Sequence, residues 1–493
     1  MRRIIAAFAA TGVFTLPALD STEPVPAHGG YVSLPDRVAW VATDGRSTAA
    51  DRESVAITVY NQSFGLVREV RAIDLPRGQV ALEYGDVASG IQAETVHVLP
   101  LGPGGLRVLE QNYQYDLLNP QKLLEKYVGR TVTVYRTNPQ TGMEEPVAAD
   151  VLSVNGGPIL KIGDEITFDY PGRFGFPELP ENLIPEPTLM WRLESSGGPQ
   201  RVEVSYLTGG LNWKSDYVMV LNEDDDQGAL TGWVTLTNQS GTSFENARLQ
   251  LVAGDVRRVS GAPQAVYRER MMADAMVAAE AGGFTEDAFF EYHLYTLGRP
   301  TDLMDNEQKQ VTLLESDGFG VRKHLVLPGA AHWYRGQYGQ VASSQKVSVF
   351  LDFENSEANG LGMPLPRGTM RVYKRDRSGA QQFVGEDLVD HTARDEEFRI
   401  KLGEAFDVVG DRRQMDYAVV SSCVSESTWR VDLRNHKEED VDVTLIEPVG
   451  GDWEILSATH RFETLDASTF TMAPRVRAGG ETRVEYRVRV RWC

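Results

Sequence analysis

Between Arg483 and Trp492 every second residue is apolar. Val484, Tyr486, Val488, Val490 and Trp492 alternate with Arg483, Glu485, Arg487, Arg489 and Arg491. A period of two puts one set against a core and the other toward water, as in a half-buried strand; on a helix both sets would scatter around the circumference. The same period recurs along the chain, in Val55, Ile57 and Val59, in Val80, Leu82 and Tyr84, and in Val202, Val204 and Tyr206. It returns in Val234 and Leu236, in Val347, Val349, Leu351 and Phe353, and in Trp429, Val431 and Leu433. Turn formers separate the runs, as in Pro76-Arg77-Gly78, Asn155-Gly156-Gly157 and Gly450-Gly451-Asp452. Short strands punctuated in this way predict a mostly β chain of serial β-sandwich, immunoglobulin-like domains with few short helices.

The chain has 493 residues, beyond the roughly 250–300 at which single cores stop growing, so several domains are expected. Arg2 and Arg3 precede an uncharged apolar run at 4–16, the order of a secretory signal peptide, which the reading places at 1–27. A linker follows at 28–53, and the first part of an N-terminal β domain at 54–128. Asn119 as N-cap, Pro120 at the first helical position and Gly129 as the stop predict one helix near its end. Short strands and glycine corners then predict a small SH3-like β insert at 129–175, with a central β-sandwich region at 176–258. An Ala/Met-rich stretch at 259–290 reads as a helical arm or linker. A second β region is expected at 291–415, and a C-terminal immunoglobulin-like sandwich at 416–493. The core of that sandwich is expected to hold Trp429, Val431, Val441, Val443, Val488 and Val490.

The formal net charge is −21, a balance that repels phosphate backbones and anionic lipid and argues against nucleic acid as a partner. Beyond the signal no apolar run reaches the roughly 20 residues that span a bilayer, so no integral membrane segment is expected after its removal. The eight histidines never stand at i,i+2 or i,i+4, and no H-E-x-x-H occurs; no metal and no cofactor is implied. The run 222–228, with Asp224, Asp225 and Asp226, lacks the glycine and glutamate of an EF-hand and reads as an acidic turn. No G-x-S-x-G elbow is present, and Ser343-Ser344-Gln345-Lys346 leads straight into an alternating strand. The sequence therefore nominates no catalytic residue. Trp333, Tyr334 and Tyr338, broken by Gly336 and Gly339, read as a hairpin tip whose rings stack on a sugar or peptide, or as core. Cys423 and Cys493 are the only cysteines and fall in one expected domain. A bridge between them and two separate thiols are both open.

A longer pattern runs through Val204-Ser205-Tyr206-Leu207-Thr208-Gly209-Gly210-Leu211-Asn212-Trp213, Tyr217 and Gly232, then Tyr292-His293-Leu294-Tyr295 and Lys309-Gln310-Val311. It continues through Asn355, Leu361-Gly362-Met363-Pro364-Leu365-Pro366-Arg367-Gly368, Arg434-Asn435-His436-Lys437 and Gly451-Asp452-Trp453. This pattern, from about Val55 to Arg491, resembles the bacterial family called domain of unknown function 4139, related to mucoidy inhibitor A. The resemblance implies a secreted or envelope-associated β-rich protein and supplies no catalytic residue set. The reading that follows is a non-enzymatic periplasmic or cell-envelope protein that binds or scaffolds an envelope protein or glycan partner. The alternatives are a hydrolase acting on envelope polysaccharide through paired carboxylates, and a structural assembly subunit marked by uncovered apolar edges.

Overall fold

The computed structural model describes residues 45–102, 105–114, 118–138, 140–168, 170–180, 183–184, 186–258 and 283–493. The expected signal peptide and most of the expected linker lie outside these residues, as does the Ala/Met-rich stretch at 259–282. The fold is mostly β, as the alternation predicts.

The first sheet is organised on one long antiparallel pair, Phe64–Tyr84 with Thr188–Gly209, in register from Gly209 opposite Phe64 to Leu189 opposite Tyr84. Arg52–Tyr60 adds on one side, followed in parallel by Phe244–Ala253 and then by the hairpin of Phe284–Phe289 and Tyr292–Leu297. A second sheet has the order Glu307–Gly320, Gln227–Asn238, Leu211–Leu221, Gly368–Arg375, Gln381–Val389. The two sheets share one core: Ile57, Val59, Val204 and Tyr206 belong to the same buried cluster as Trp213, Tyr217, Val234 and Val372. Ile57, Val59, Val204, Tyr206 and Val234 are residues that the period of two assigned to buried faces.

The segment after the helix Pro120–Lys126 forms a separate five-stranded sheet inserted between the two long strands, from Thr131–Thr137 to Arg173–Gly175. It has its own small core of Tyr127, Val132, Val134, Ala149, Val151 and Leu160. Asn119 caps the helix through the Lys122 N–H at 2.9 Å. Gly129, Gly142, Gly156, Gly157 and Gly163 all have positive φ, a conformation that costs an L side chain energy and glycine almost none.

The last sheet carries the C-terminal core, in which Trp429, Val431, Val443, Val488 and Val490 are at most 1% exposed and Val441 is 8% exposed. Its extent differs from expectation. It also draws on Arg322–Pro328, Gln340–Glu354 and Glu397–Ser421, so the boundary expected at 415/416 falls inside a strand. The cause is a strand long enough to serve two cores: Phe398 and Ile400 pack in the first, Ala405 and Val408 in the C-terminal one. Two other boundaries move for similar reasons. Gly45–Ser47 pairs in parallel with Leu82, Glu83 and Tyr84, so 45–53 is part of the fold rather than linker. Phe284–Phe289 is a strand anchored by the buried Phe284, so the expected helical arm or linker does not extend to 290.

Candidate functional site

The strand Glu307–Gly320 lies at one edge of the second sheet, paired with Gln227–Asn238 alone. Val311 and Leu313 point into the core, while Thr312 and Leu314 are half-buried. Two irregularities interrupt its pairing, between Gly228 and Leu230 and between Gly232 and Trp233. A bulge twists an edge strand and redirects its side chains, and bulges gather near binding sites. On the free side, the backbone of 310–315 makes no hydrogen bond among the described residues. A groove of about 660 Å³ follows that side, within the range of ligand sites. Trp233, Phe284, Leu361 and Met363 give it apolar surface, and Arg299 and Glu315 give it charge. Neither Arg299 nor Glu315 has an ion-pair partner among the described residues.

The facing wall is the loop 355–366, and buried polar groups fix it. Asn355 is fully buried; its Nδ2 donates to the carbonyls of Met363 at 2.9 Å and Ala393 at 3.0 Å. Its Oδ1 accepts from the Gly362 N–H at 3.1 Å. The Tyr295 and Tyr217 hydroxyls donate to the carbonyls of Pro364 at 2.9 Å and Pro366 at 2.7 Å. Burial pushes both phenols up, so they remain neutral donors. Gly362 has φ +107, and a Cβ there would stand 2.7 Å from Glu357 Cγ. At the far end the wall grips the strand: Asn359 Oδ1 accepts from the Gly320 N–H at 2.7 Å, and Ser316 Oγ donates to the Gly360 carbonyl at 2.9 Å. The groove is therefore shaped before anything enters it, which lowers the ordering cost of binding.

The aromatic residues singled out from sequence lie elsewhere, on the short turn Ala331–Arg335 and just after it, at the C-terminal sandwich. Tyr334 is core, 1% exposed and packed on Trp429 with ring centroids 5.2 Å apart. Its hydroxyl donates to Glu447 at 2.8 Å and lies 2.8 Å from that of Tyr486, beside the buried Arg412–Glu447 pair. A ring committed to that network offers no face to a partner, so Tyr334 leaves the expected binding set. Trp333 is partly buried and lies over the Arg412 guanidinium at 4.9 Å; Tyr338 is 43% exposed. The three do not form one stacking platform. Cys423 and Cys493 are bridged, with Cα atoms 5.6 Å apart. In the chain-entropy picture, closing a loop with a sequence separation of 70 stabilises by roughly 4 kcal/mol. The acidic run at 222–228 is a turn, with Asp225 held by Lys323 and Lys374, each at 2.5 Å.

A second cleft, of about 570 Å³, contains Asp86 and Glu186. Burial tends to raise the Asp86 carboxyl, but Glu186, the Ala49 N–H and two arginines hold it below its ordinary value, and Asp86 pushes that of Glu186 up.

Alternation did not reveal the groove, because a period of two reports which face is buried and is silent on which strand lies beside which. Its wall did leave a trace: Lys309-Gln310-Val311, Asn355 and the run 361–368 all belong to the pattern that carries the family resemblance. No family model matches the chain, and no curated protein matches it.

Proposed function

We propose that the protein is an exported cell-envelope binding protein that takes an extended polypeptide segment as an added strand along 310–315. The observation that carries this reading is the unpaired strand edge beside a preformed wall. Strand addition draws affinity from main-chain hydrogen bonds and specificity from pockets for alternate side chains. Here Trp233, Phe284 and Met363 supply apolar contact, while Arg299 and Glu315 select charge. Export is supported by the pattern of Arg2, Arg3 and the apolar run at 4–16 and by a disulfide, a bond that persists in oxidising compartments. The resemblance to the 4139 family belongs to the same reading.

Selection from a displayed library of roughly ten-residue peptides, enough to span the groove edge, tests it on the full chain. Enrichment of alternating, β-branched sequences that lose binding in Gly362→Val and keep it in Leu388→Ser is the expected result. Enriched peptides indifferent to Gly362→Val contradict it.

A further inference from the structure

Arg299 and Glu315 stand at opposite ends of the open edge. Arg299 follows Gly298, whose N–H donates to the Gly283 carbonyl at 2.9 Å, so it sits where the strand Phe284–Phe289 begins. The same turn reaches the start of Glu307–Gly320, because Lys309 Nζ donates to the Asp302 carbonyl. Glu315 lies further along that strand, roughly 17 Å from Gln310 for an extended chain. It adjoins Ser316, whose hydroxyl donates to the Gly360 carbonyl at 2.9 Å. Both are exposed residues that line the groove. Their charged neighbours are committed elsewhere: Lys309 lies 3.7 Å from Glu307, Asp302 accepts the Asn246 N–H at 2.8 Å, and Glu357 lies 2.9 Å from Arg394. Asp317, exposed two residues beyond Glu315, carries the same sign. Between the two ends the lining is uncharged, from Val311 to Leu314 on the strand and from Gly360 to Met363 on the wall. The groove is positive at one end, negative at the other and neutral between.

We propose that the groove selects its polypeptide by charge order, an inference that rests on the strand-addition reading above. The segment it takes carries a basic residue, then apolar or β-branched residues, then an acidic residue about five positions after the basic one, a spacing that matches the extended span between the two ends. The added strand runs antiparallel to Glu307–Gly320, the direction in which ladder bonds are straight and slightly more stable. An antiparallel chain passes Glu315 first and Arg299 last, so its basic residue meets Glu315 and its acidic residue meets Arg299. A segment of the same composition in the opposite order would set acid beside Glu315 and base beside Arg299. Like charges brought together at an interface discriminate against a wrong partner more sharply than one missing attraction does. Such a segment recovers both pairs only by turning parallel, which gives up the better ladder. Arg299 and Glu315 are thus specificity-determining residues, and the backbone edge between them supplies the affinity.

Titration calorimetry of the full chain with three peptides tests the proposal, each acetylated at its amino end and amidated at its carboxyl end so that only side chains are charged. The first is Lys-Val-Thr-Val-Thr-Glu, the second Glu-Val-Thr-Val-Thr-Lys, and the third has glutamine at both charged places. The lysine-first peptide is expected to bind about tenfold tighter than the glutamate-first one, with the glutamine peptide between them, and the gap is expected to shrink as salt is raised. The double exchange Arg299→Glu with Glu315→Arg alters only exposed side chains and is expected to invert the preference without lowering the melting temperature. Equal affinity for the two charged peptides, or tighter binding of the glutamate-first one, overturns the charge-order proposal and leaves strand addition standing. A lysine-first preference that survives the exchange overturns the assignment to Arg299 and Glu315. No binding by any of the three overturns strand addition as well.

Discussion

The second sheet has two edges, and the chain treats them in opposite ways. Gln381–Val389 is closed by the protein itself. A Cβ on Gly385 would stand 2.4 Å from the Leu402 carbonyl oxygen, and Asp387 accepts the Lys401 N–H at 2.7 Å. Phe383 and Leu388 remain 56% and 66% exposed, but the backbone beside Gly385 is occupied. Glu307–Gly320, at the other edge, is gripped at its end by Asn359 and Ser316 and otherwise left unpaired beside a rigid loop. Edge strands are aggregation hazards, and proteins usually cover, twist or charge them. One edge here is covered. The other is twisted by bulges and faced by a fixed loop across a groove, a reason to read it as a site rather than an oversight.

Substitutions at the two edges should separate them, beginning with the largest effect. Gly385→Val drives two methyl groups into the Leu402 backbone and should destabilise by about 3 kcal/mol or more in a denaturant titration. Thr312→Val at the open edge should change stability by less than about 0.5 kcal/mol. Comparable losses would show that the open edge is covered as well. Asn355→Ala removes three side-chain hydrogen bonds from a buried site and should cost about 2–4 kcal/mol, with peptide binding lost under conditions where the variant remains folded. Tyr295→Phe frees the Pro364 carbonyl alone and should cost about 1 kcal/mol, loosening the wall enough to raise peptide off-rates while the melt changes little.

Acid should act on the middle of the sheet before the groove wall. Burial tends to raise the Asp216 and Asp225 carboxyls, but Arg371 and Lys214 around the first, and Lys323 and Lys374 around the second, hold both below their ordinary value. A depressed carboxylate contributes stability above its unfolded pKa, and that contribution is lost as pH falls through the folded value. Each pair should contribute about 1 kcal/mol or less, fading below roughly pH 4. Melting temperatures of wild type and Asp225→Asn should therefore converge at low pH and diverge at neutral pH. The groove wall rests on neutral tyrosine and amide donors and should not share this dependence.

The same contrast shows how far the sequence could be read. Alternation identified the buried faces in detail: Val484, Tyr486, Val488 and Val490 are all at most 1% exposed. It also turned Arg489 outward, yet it could not show that Arg487 and Arg489 both reach Glu426, at 2.5 Å and 2.7 Å. Arg489→Asp, harmless on pattern alone, therefore adds a carboxylate beside Glu426 and Glu454. Tyr334 stayed open between loop tip and core because an aromatic next to glycines looks the same in both; its partners Glu447 and Tyr486 lie more than a hundred residues away. Domain boundaries were drawn at composition shifts, but strands such as Glu397–Ser421 run through two cores without any such shift. The open edge and the Asp86–Glu186 cleft depend on which segments meet in space, and a local period carries no trace of that.

Hydrogen–deuterium exchange on the full chain, free and saturated with a peptide selected for binding, tests the central claim most directly. The account predicts that amides within 311–316 slow when the peptide is added, while those of Gln381–Val389 exchange at the same rate in both states. Protection appearing on Gln381–Val389 instead, or 311–316 unchanged at saturation, would contradict it.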